Sequence, residues 1–363
     1  MEKAKLIMVG GFLGAGKTTL LYESTKKMMQ KGFQVGIITN DQAVGLVDTV
    51  FLLQAEAKVE EISGSCFCCN YHGFVSSIEK VRNETSADII FAEPVGSCTD
   101  LSATIMQPLK EYMHTELEIA PLTVLADPYR LKSILDGKDA DLHPSAAYIF
   151  RKQLEESDII AVTKCDLLRS GELEDIVNKL KQQYSHSLIF PVSSITGFGI
   201  DDWFQFVMSK SESGQRITDV DYNVYAEGEA VLGWLNATLT LSGNQIDWDN
   251  LSKEFMIYLG NQIDSMAASV GHVKILVENC KNYLMGNLTG NLKTLNIRGN
   301  IGTGEEAFMI INARVGMNPE ILDRLVRESL DKICNNQVHI EITSWKCLSP
   351  GYPKPIHRYS KVI

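Results

Sequence analysis

Two short segments in the first part of the chain carry the residue types that do chemistry. Residues 11–18 read G-F-L-G-A-G-K-T, which fits the pattern G-x-x-x-x-G-K-[ST] between an apolar run and an amphipathic stretch. Residues 66–69 read C-F-C-C. The first segment predicts a loop that binds the phosphates of a nucleoside triphosphate, and the second predicts a site for a soft metal ion.

The pattern of the predicted phosphate loop gives each residue type a role. Its glycines let the backbone curl so that amide N–H groups point at phosphate oxygens, and the following helix adds the positive end of its dipole. Lys17 neutralises the β- and γ-phosphates, and Thr18 offers its hydroxyl to Mg²⁺. The predicted phosphate-binding residues are Gly11, Gly14, Ala15, Gly16, Lys17, Thr18 and Thr19.

Carboxylates follow two further apolar runs. Glu93 is placed to hold Mg²⁺ or to orient an attacking water, and the Gly96 N–H to meet the γ-phosphate. Asp41 is a second candidate near Mg²⁺. Asp48 either takes part in catalysis or caps a turn, and the sequence leaves both open. The predicted catalytic residues are Lys17, Asp41 and Glu93.

A third pattern indicates which base is bound. Thr163, Lys164 and Asp166 form [NT]-K-x-D after an apolar run, and the Asp carboxylate in this pattern accepts hydrogen bonds that guanine offers and adenine lacks. Ser193 and Ser194 belong to a later loop that is predicted to back the base. The alternative for Asp166 is a helix N-cap, since leucines follow it. The preferred interpretation is GTP bound with Mg²⁺.

The cysteine trio, Cys66, Cys68 and Cys69, favours Zn²⁺, Cu⁺ or another thiophilic ion over Mg²⁺, and Zn²⁺ or Co²⁺ is the expected cofactor. In an extended segment, residues two apart face one side, and a bend at the third cysteine would complete the set. Three ligands leave a position for a client protein. His72 is either a fourth ligand or a solvent-facing side chain. Buried packing and a redox-active thiol pair are the alternatives for the trio.

The remaining cysteines and histidines show no ligand spacing, and packing is the expectation for each of these cysteines. They are Cys98, Cys165, Cys280, Cys334 and Cys347, together with His114, His143, His186, His272, His339 and His357.

The elements that must position these motifs alternate in type over the first half of the chain. Apolar runs rich in Val and Ile predict strands, and amphipathic stretches between them predict helices, which together give a mostly parallel, doubly wound sheet. Ligands bind such sheets at the carboxyl ends of the strands, where every motif above falls. The predicted strands are 6–9, 34–39, 88–92, 122–126, 159–163 and 188–192, and the predicted helices are 18–30, 73–83, 145–155, 172–184 and 201–208.

Beyond a polar linker the order changes. Strands and helices there approach a β-α-β-β-α-β pattern, which predicts a smaller α+β domain. The Pro-rich residues 349–355 are predicted to lie along the surface without regular structure. The predicted division is a P-loop domain at 1–208, a linker at 209–222 and a C-terminal domain at 223–363.

The composition and net charge argue against some classes of function. The chain has 363 residues and a net charge of −11, which argues against nucleic acid as a partner. No apolar run reaches the length of a membrane span, and none resembles a secretory signal. The eight cysteines are therefore expected in a reducing cytoplasm, where close clusters favour metal or redox chemistry over disulfides.

Taken together, these motifs resemble those of CobW-like GTPases, a group related to the GTPases that insert nickel into urease and hydrogenase. The resemblance covers most of residues 5–205 and rests on 10–21, Asn40-Asp41, the C-x-C-C segment, Glu93-x-x-Gly96 and the T-K-x-D segment. Ser65 stands where the family usually has Gly, and no His-rich tract is present. The resemblance implies a metallochaperone GTPase with a client metalloprotein, and it leaves a homodimer open.

The leading hypothesis is that GTP·Mg²⁺ orders the loops around Asp41 and Glu93 and thereby sets the metal affinity of the cysteines, for zinc, cobalt or nickel. A second hypothesis is an activation or assembly factor for a corrinoid-dependent or other metalloenzyme that transfers no metal. A third, a small-molecule kinase, lacks a motif for an acceptor pocket.

Overall fold

The structure, a computed structural model, describes residues 3–41, 47–279 and 282–363. These residues form two compact units. The first holds 3–41, 48–225 and 352–363, and the second holds 47, 226–279 and 282–351. None of the helices in the described part of the chain is both long enough and apolar enough to cross a membrane.

A parallel sheet organises the first unit, with strands in the order β3-β2-β4-β1-β6-β7-β8 and β5 beside the start of β1. Continuous apolar runs form its central strands because helices cover both faces, and every residue of β1 is buried. The strands are β1 (Ala4–Gly11), β2 (Val35–Asp41), β3 (Lys58–Ser63), β4 (Ile89–Glu93), β5 (Leu117–Ile119), β6 (Thr123–Ala126), β7 (Ile159–Val162) and β8 (Leu188–Pro191).

Helices lie between most successive strands of this sheet and also follow its last strand, β8. They are α1 (Lys17–Gln30), α2 (Val47–Leu53), α3 (Tyr71–Thr85), α4 (Gln107–Tyr112), α5 (Pro128–Leu135), α6 (Pro144–Glu156), α7 (Glu172–Gln183), α8 (Ile200–Ser209) and α9 (Tyr222–Ala230). A π-helical turn, Ser102–Met106, leads into α4. The core combines strand residues with apolar helix faces, such as Ile7, Phe91 and Trp203.

An antiparallel sheet organises the second unit, in the order β12-β11-β10-β13-β9-β14. Two helices pack on it, and Trp248 and Phe255 of the first helix lie in the core with Leu322 and Val326 of the second. The elements are β9 (Gly233–Asp247), α10 (Trp248–Ser265), β10 (Val270–Glu278), β11 (Tyr283–Leu288), β12 (Asn296–Gly299), β13 (Thr303–Val315), α11 (Pro319–Cys334) and β14 (Val338–Leu348).

The predicted fold class is confirmed, and the differences lie in short elements. Strand β11 of the second unit was not predicted, because its Tyr-Leu-Met-Gly-Asn-Leu sequence has no β-branched residue. The edge strand β3 and the helix α5 were also missed. Residues 349–363 contain no helix or strand, in agreement with the sequence.

Candidate nucleotide and metal site

The phosphate loop joins β1 to α1 through left-handed backbone. Gly16 is the N-cap residue of α1 and has φ 94°. Gly11 has φ 129°, and a Cβ at this position would clash with the Leu125 carbonyl oxygen at 2.4 Å. Non-glycine residues would be strained at both positions. Lys17 Nζ donates to the Gly11 carbonyl at 2.9 Å, so the ammonium is folded back over the loop. The N–H groups of this turn and the start of α1 form an anion-binding concavity that suits phosphate.

The predicted Mg²⁺ ligands lie at the start of α1 and at the ends of the neighbouring strands β2 and β4. The Thr18 hydroxyl donates to Glu93 Oε1 at 3.1 Å, and both residues are buried. Asp41 ends the neighbouring strand β2, whose Thr39 pairs with Glu93 in the sheet, and it is buried as well. Hydroxyl and carboxylate oxygens are the donors that Mg²⁺ prefers, so these residues fit the ion. Asp48 lies in the first turn of α2, where the helix dipole stabilises a carboxylate.

The loop after β4 is fixed between Lys17 and α6. A Cβ on Gly96 would lie 3.0 Å from Lys17 Nζ, so the backbone passes close to the ammonium. From the other side, Gln153 Nε2 donates to the carbonyls of Gly96 at 3.0 Å and Cys98 at 2.8 Å. Sequence reasoning missed Gln153, because nothing in an amphipathic helix marks one buried amide as a loop anchor.

Glu156, also on α6, holds the end of the same loop. Its carboxylate accepts from the Thr99 hydroxyl and the Ser102 N–H, both at 3.0 Å. Burial raises the pKa of Glu156 to about 8. This carboxyl is a second anchor that the sequence did not reveal.

The predicted guanine loop contacts the phosphate loop. Thr163 Oγ1 donates to the Ala15 carbonyl at 2.8 Å, and Lys164 Nζ donates to the Gly14 carbonyl at 3.0 Å and to Asp127 Oδ2 at 2.6 Å. Lys164 has φ 51°, which turns the chain so that Asp166 is exposed in a single 3₁₀ turn. Asp166 is not the N-cap of a longer helix, since the next helix, α7, begins at Glu172.

The later loop lies beside the guanine loop. The Cys165 N–H donates to the Val192 carbonyl at 3.4 Å, next to Ser193. The buried Ser193 hydroxyl accepts from the Thr196 N–H at 3.2 Å and so shapes a turn that leaves Ser194 half-buried. Sequence analysis also missed Arg130 of α5, which donates to the Leu13 carbonyl of the phosphate loop at 2.7 Å.

The three cysteines come together just before α3. The Sγ atoms of Cys66 and Cys68 are 3.0 Å apart, those of Cys68 and Cys69 are 3.9 Å apart, and all three lie within 4.8 Å of one another. The expected extended segment is wrong: the N–H groups of Cys69 and Asn70 donate to the Cys66 carbonyl, so the backbone forms a turn. This turn places the sulfurs at the N-terminal end of α3, where the helix dipole favours thiolate.

The sulfurs differ in their acidity. Hydrogen bonds with neighbouring thiols, that of Cys68 first, lower the pKa of Cys66 well below its usual range. The hydrogen bond to Cys66 raises the pKa of Cys69 to about 11. Three sulfurs this close together suit a thiophilic cation, since the ion stabilises every sulfur as an anion.

Asn40 connects the trio to the sheet. Its Nδ2 donates to the carbonyls of Ile62 at 2.9 Å and Ser65 at 2.8 Å, and its Oδ1 accepts from the Phe67 N–H at 2.9 Å. The next residue is Asp41, whose carbonyl accepts from Gly64. One strand end thus carries both a candidate Mg²⁺ ligand and the support of the cysteine loop.

Residues 352–363 pass over the same loop. The Lys354 N–H donates to Cys69 Sγ at 3.2 Å, and the Ile356 N–H donates to the Cys68 carbonyl at 2.9 Å. His357 stacks edge-on against Tyr71. Sequence analysis did not place this segment at the site, because its contacts join residues far apart in the chain.

The other residues considered as ligands lie elsewhere. His72 is exposed on α3. Among the described residues, the cysteine trio is the one group of three or more His, Cys, Asp or Glu side chains that is close enough together to hold a metal ion. Cys165, Cys334 and Cys347 are separate thiols, and Cys280 lies outside the described residues.

A parallel sheet with a phosphate loop after its first strand defines a P-loop nucleoside triphosphatase fold. Residues 5–190 match the family described as CobW/HypB/UreG, nucleotide-binding domain. The chain belongs to this family.

Two curated relatives are similar over part of their length. Zinc-regulated GTPase metalloprotein activator 1 of Dictyostelium discoideum is 23% identical over 238 residues, which cover 56% of this chain and 50% of the relative. Zinc chaperone YjiA of Escherichia coli (strain K12) is 26% identical over 208 residues, which cover 55% of this chain and 60% of the relative. The chain thus spans about half of the first relative and three-fifths of the second.

Solved structures with a related fold include HypB from Helicobacter pylori in complex with nickel, at 16% identity and a TM-score of 0.42, covering 58% of this chain and 87% of that one. Zn(II)-bound YjiA GTPase from E. coli is 14% identical with a TM-score of 0.35, covering 92% of this chain and 99% of that one.

Proposed function

We propose that this chain is a GTP-hydrolysing metallochaperone, which couples its nucleotide state to the binding of a thiophilic metal ion and its delivery to a client metalloprotein. The observation that carries the proposal is the set of three hydrogen bonds that Asn40, beside Asp41, makes with β3 and the cysteine loop: it donates to the Ile62 and Ser65 carbonyls and accepts from the Phe67 N–H. Because both functions share one strand end, a rearrangement at the nucleotide changes the support of the metal site. Two relatives described as a zinc chaperone and a zinc-regulated metalloprotein activator support the same assignment.

The nucleotide half of the proposal rests on the loops at the carboxyl ends of the strands. Lys17 neutralises the terminal phosphates, Thr18 and Glu93 hold Mg²⁺ with Asp41, and Gly96 donates its N–H toward the γ-phosphate. Bound Mg²⁺ supplies positive charge that offsets the charge developing on the phosphates. Asp166 selects guanine, and its exposure leaves the carboxylate open to the base. Thr163 and Lys164 fix the distance between the base and phosphate loops.

The metal half rests on donor chemistry. Three sulfurs within 4.8 Å suit Zn²⁺ or Co²⁺, with Ni²⁺ as a further cargo, far better than a hard cation. Cys66 and Cys68 are buried, whereas Cys69 is half-exposed, so exchange with a client would begin at Cys69. The location proposed for this chemistry is the cytoplasm, where thiols stay reduced. The net charge of −11 favours a protein client over nucleic acid.

The test is an anaerobic titration of the full chain with Co²⁺ and then Zn²⁺, first with GTP·Mg²⁺ and then with GDP. Cobalt–thiolate charge-transfer absorption reports on the trio. We expect stoichiometric binding whose affinity differs between the two nucleotides by about fivefold or more. Equal affinity in both nucleotide states would favour an activation factor that transfers no metal.

Two variants separate the halves of the proposal. Lys17→Ala should abolish GTP turnover while the thiols still bind cobalt. The triple change Cys66→Ser, Cys68→Ser and Cys69→Ser should remove the cobalt–thiolate bands while nucleotide binding is kept. Cys347→Ser is the matched control, because its sulfur donates to the Pro319 carbonyl and belongs to a different unit. An unchanged metal stoichiometry in the triple variant would refute the metal site.

A further inference from the structure

A cavity of about 330 Å³ opens beside the cysteine loop, within the first unit. Its walls come from three segments that are far apart in the chain: the start of α3, the end of α4 with the residues after it, and the segment 352–363. The lining includes Tyr71, His72, Tyr112, Glu116 and His357. A cavity of this size accepts one side chain or a small ligand, and neither the nucleotide site nor the cysteine trio uses it.

Three aromatic rings of the lining meet at steep angles. The plane of the His357 ring is inclined by 82° to that of Tyr71 and by 77° to that of His72, and the Tyr71 and His72 rings are inclined by 73°. Tyr112 adds a fourth ring, whose centroid is 5.7 Å from that of His357. Tyrosine faces attract cations, and ring walls on several sides are typical of sites that hold an organic cation.

Two oxygen atoms of the lining residues have no hydrogen-bond partner among the residues that the structure describes. They are the hydroxyl oxygen of Tyr71, a side chain that is only 3% exposed, and Oε2 of the half-buried Glu116. A buried polar atom without a partner costs free energy. Both oxygens can accept, so both favour a ligand that brings N–H donors.

The charge of the lining favours a cationic donor. The hydrogen bond with the Thr115 side chain, and then the charges of Arg82 and His114, lower the pKa of Glu116, so this carboxyl is ionised at neutral pH. None of the lining residues is lysine or arginine. A ligand that supplies both positive charge and N–H groups therefore complements the cavity.

We propose that this cavity binds the guanidinium group of an arginine side chain, which the client protein presents beside the cysteine loop. A guanidinium is planar and has five N–H donors, so it stacks on a ring face while it donates to a carboxylate and a hydroxyl. A metal ion fits less well, because the cysteine trio is the one group of described residues whose ligand atoms come close enough together. That the arginine belongs to a client rests on the proposed function.

The cavity adjoins the sulfur at which exchange with a client would begin. Tyr71 follows the half-exposed Cys69 by two residues. On the other wall, His357 follows Ile356, whose N–H donates to the Cys68 carbonyl at 2.9 Å. An arginine held here brings the neighbouring residues of the client close to Cys69. The cavity thus favours clients that carry a basic residue near their metal-binding residues.

The first measurement uses the unaltered full chain, reduced and free of metal, with ¹³C at the Cε1 atoms of its seven histidines. The probe is N-acetyl-arginine amide, which resembles arginine within a peptide, and N-acetyl-citrulline amide is the neutral analogue of similar shape. We expect the arginine probe to shift the NMR signals of His72 and His357, assigned from His72→Gln and His357→Gln, and not that of His339 in the second unit.

The arginine probe should bind about tenfold more tightly than the citrulline probe, because its hydrogen bonds are charge-assisted. Equal affinities, or no shift at His72 and His357, would overturn the inference.

Free L-arginine distinguishes a protein side chain from a small molecule. Its α-carboxylate is repelled by Glu116, so we expect it to bind more weakly than the blocked probe. Tighter binding of free L-arginine would indicate a small-molecule site and would contradict recognition of a client.

The variants Tyr71→Phe and Glu116→Gln test the two oxygens. Each keeps the shape of the side chain and removes the hydroxyl or the charge, so each should weaken the arginine probe about fivefold and leave the citrulline probe unchanged. Glu174→Gln, at an exposed position of α7, is the matched control and should bind as the unaltered chain does. If neither variant differs from this control, the two residues do not hold the guanidinium.

These titrations contain no metal, so they separate this inference from the proposed function. Absence of arginine binding overturns the inference alone. Failure of the cobalt titration, with arginine binding intact, overturns the metallochaperone proposal and with it the assignment of the arginine to a client.

Discussion

The side-chain amide of Asn40 accepts a hydrogen bond from the backbone N–H of Phe67 at 2.9 Å, inside the C-x-C-C segment. Asn40 lies near the end of β2, and Phe67 lies in the turn that follows the adjacent strand β3, and the bond is buried. The position of the cysteine loop therefore depends on a side chain next to Asp41, a predicted Mg²⁺ ligand. Movement of the end of β2 would displace the cysteine loop.

Replacing Asn40 with Ala should weaken metal binding more than nucleotide binding. The change leaves the Phe67 N–H and the Ile62 and Ser65 carbonyls without their side-chain partner, at a cost of about 2 kcal/mol in unfolding free energy. We expect cobalt affinity to fall about tenfold, measured by anaerobic titration. Asn83→Ala, at an exposed position near the end of α3, is the matched amide control. If both variants bind cobalt as the unaltered chain does, Asn40 does not support the site.

Replacing Glu93 with Gln should slow GTP hydrolysis while GTP still binds. The Thr18 hydroxyl now donates to this carboxylate at 3.1 Å, and Gln keeps an oxygen there but removes the charge that serves Mg²⁺. We expect kcat to fall about 100-fold, measured by phosphate release at saturating GTP and Mg²⁺. Glu79→Gln, on the exposed face of α3, is the control. Turnover within twofold of the unaltered chain would remove Glu93 from the catalytic set.

Unfolding free energy should decrease as pH rises from about 4.5 to about 8, and Glu156 should be one cause. Its pKa is raised from 4.5 to about 8 by burial, so in this window the folded chain holds a proton that the unfolded chain has released. One such group lowers stability by up to about 1.4 kcal/mol per pH unit. Urea unfolding at several pH values measures the slope.

Glu156→Gln should flatten that slope, because the amide does not titrate. Its neighbour Glu155→Gln is the control, since Glu155 is partly exposed and pairs with Lys152. Equal slopes in all three proteins would show that Glu156 does not carry the proton.

Replacing Arg358 with Ala should destabilise the segment that crosses the cysteine loop. Arg358 Nε donates to Asp100 Oδ2 at 2.7 Å, and Asp100 is 1% exposed. Burial raises the pKa of Asp100, so loss of the guanidinium leaves a carboxyl that is costly to ionise. We expect a loss of about 2 kcal/mol in unfolding free energy, less than for a fully buried pair because Arg358 is partly exposed.

The same variant gives a local measurement. Hydrogen exchange at the Ile356 and Tyr359 amides, which donate to the Cys68 and Ala103 carbonyls, should accelerate. Lys361→Ala, exposed in the same segment, should change neither quantity. Exchange rates unchanged by Arg358→Ala would show that the ion pair does not hold the segment.

The fold class could be predicted because its strands and helices have recurrent hydrophobic patterns in the sequence. Buried parallel strands are nearly all apolar, as in β1, and the helices between them carry one apolar face. The elements that were missed, such as β3 and β11, have mixed composition, and their state depends on the strand beside them. The β-propensities of the residues do not show which strand will lie beside them.

The sequence by itself predicted the phosphate loop and the guanine loop, and it determined the proximity of Cys66, Cys68 and Cys69. In each case the residues lie within a few successive positions, so their spacing fixes the local geometry. Only the tertiary structure decided that Asn40 and Lys354 meet at the cysteine loop. These contacts join residues separated by tens to hundreds of positions, and they form only when the sheet brings strand ends together and a distant segment packs across them.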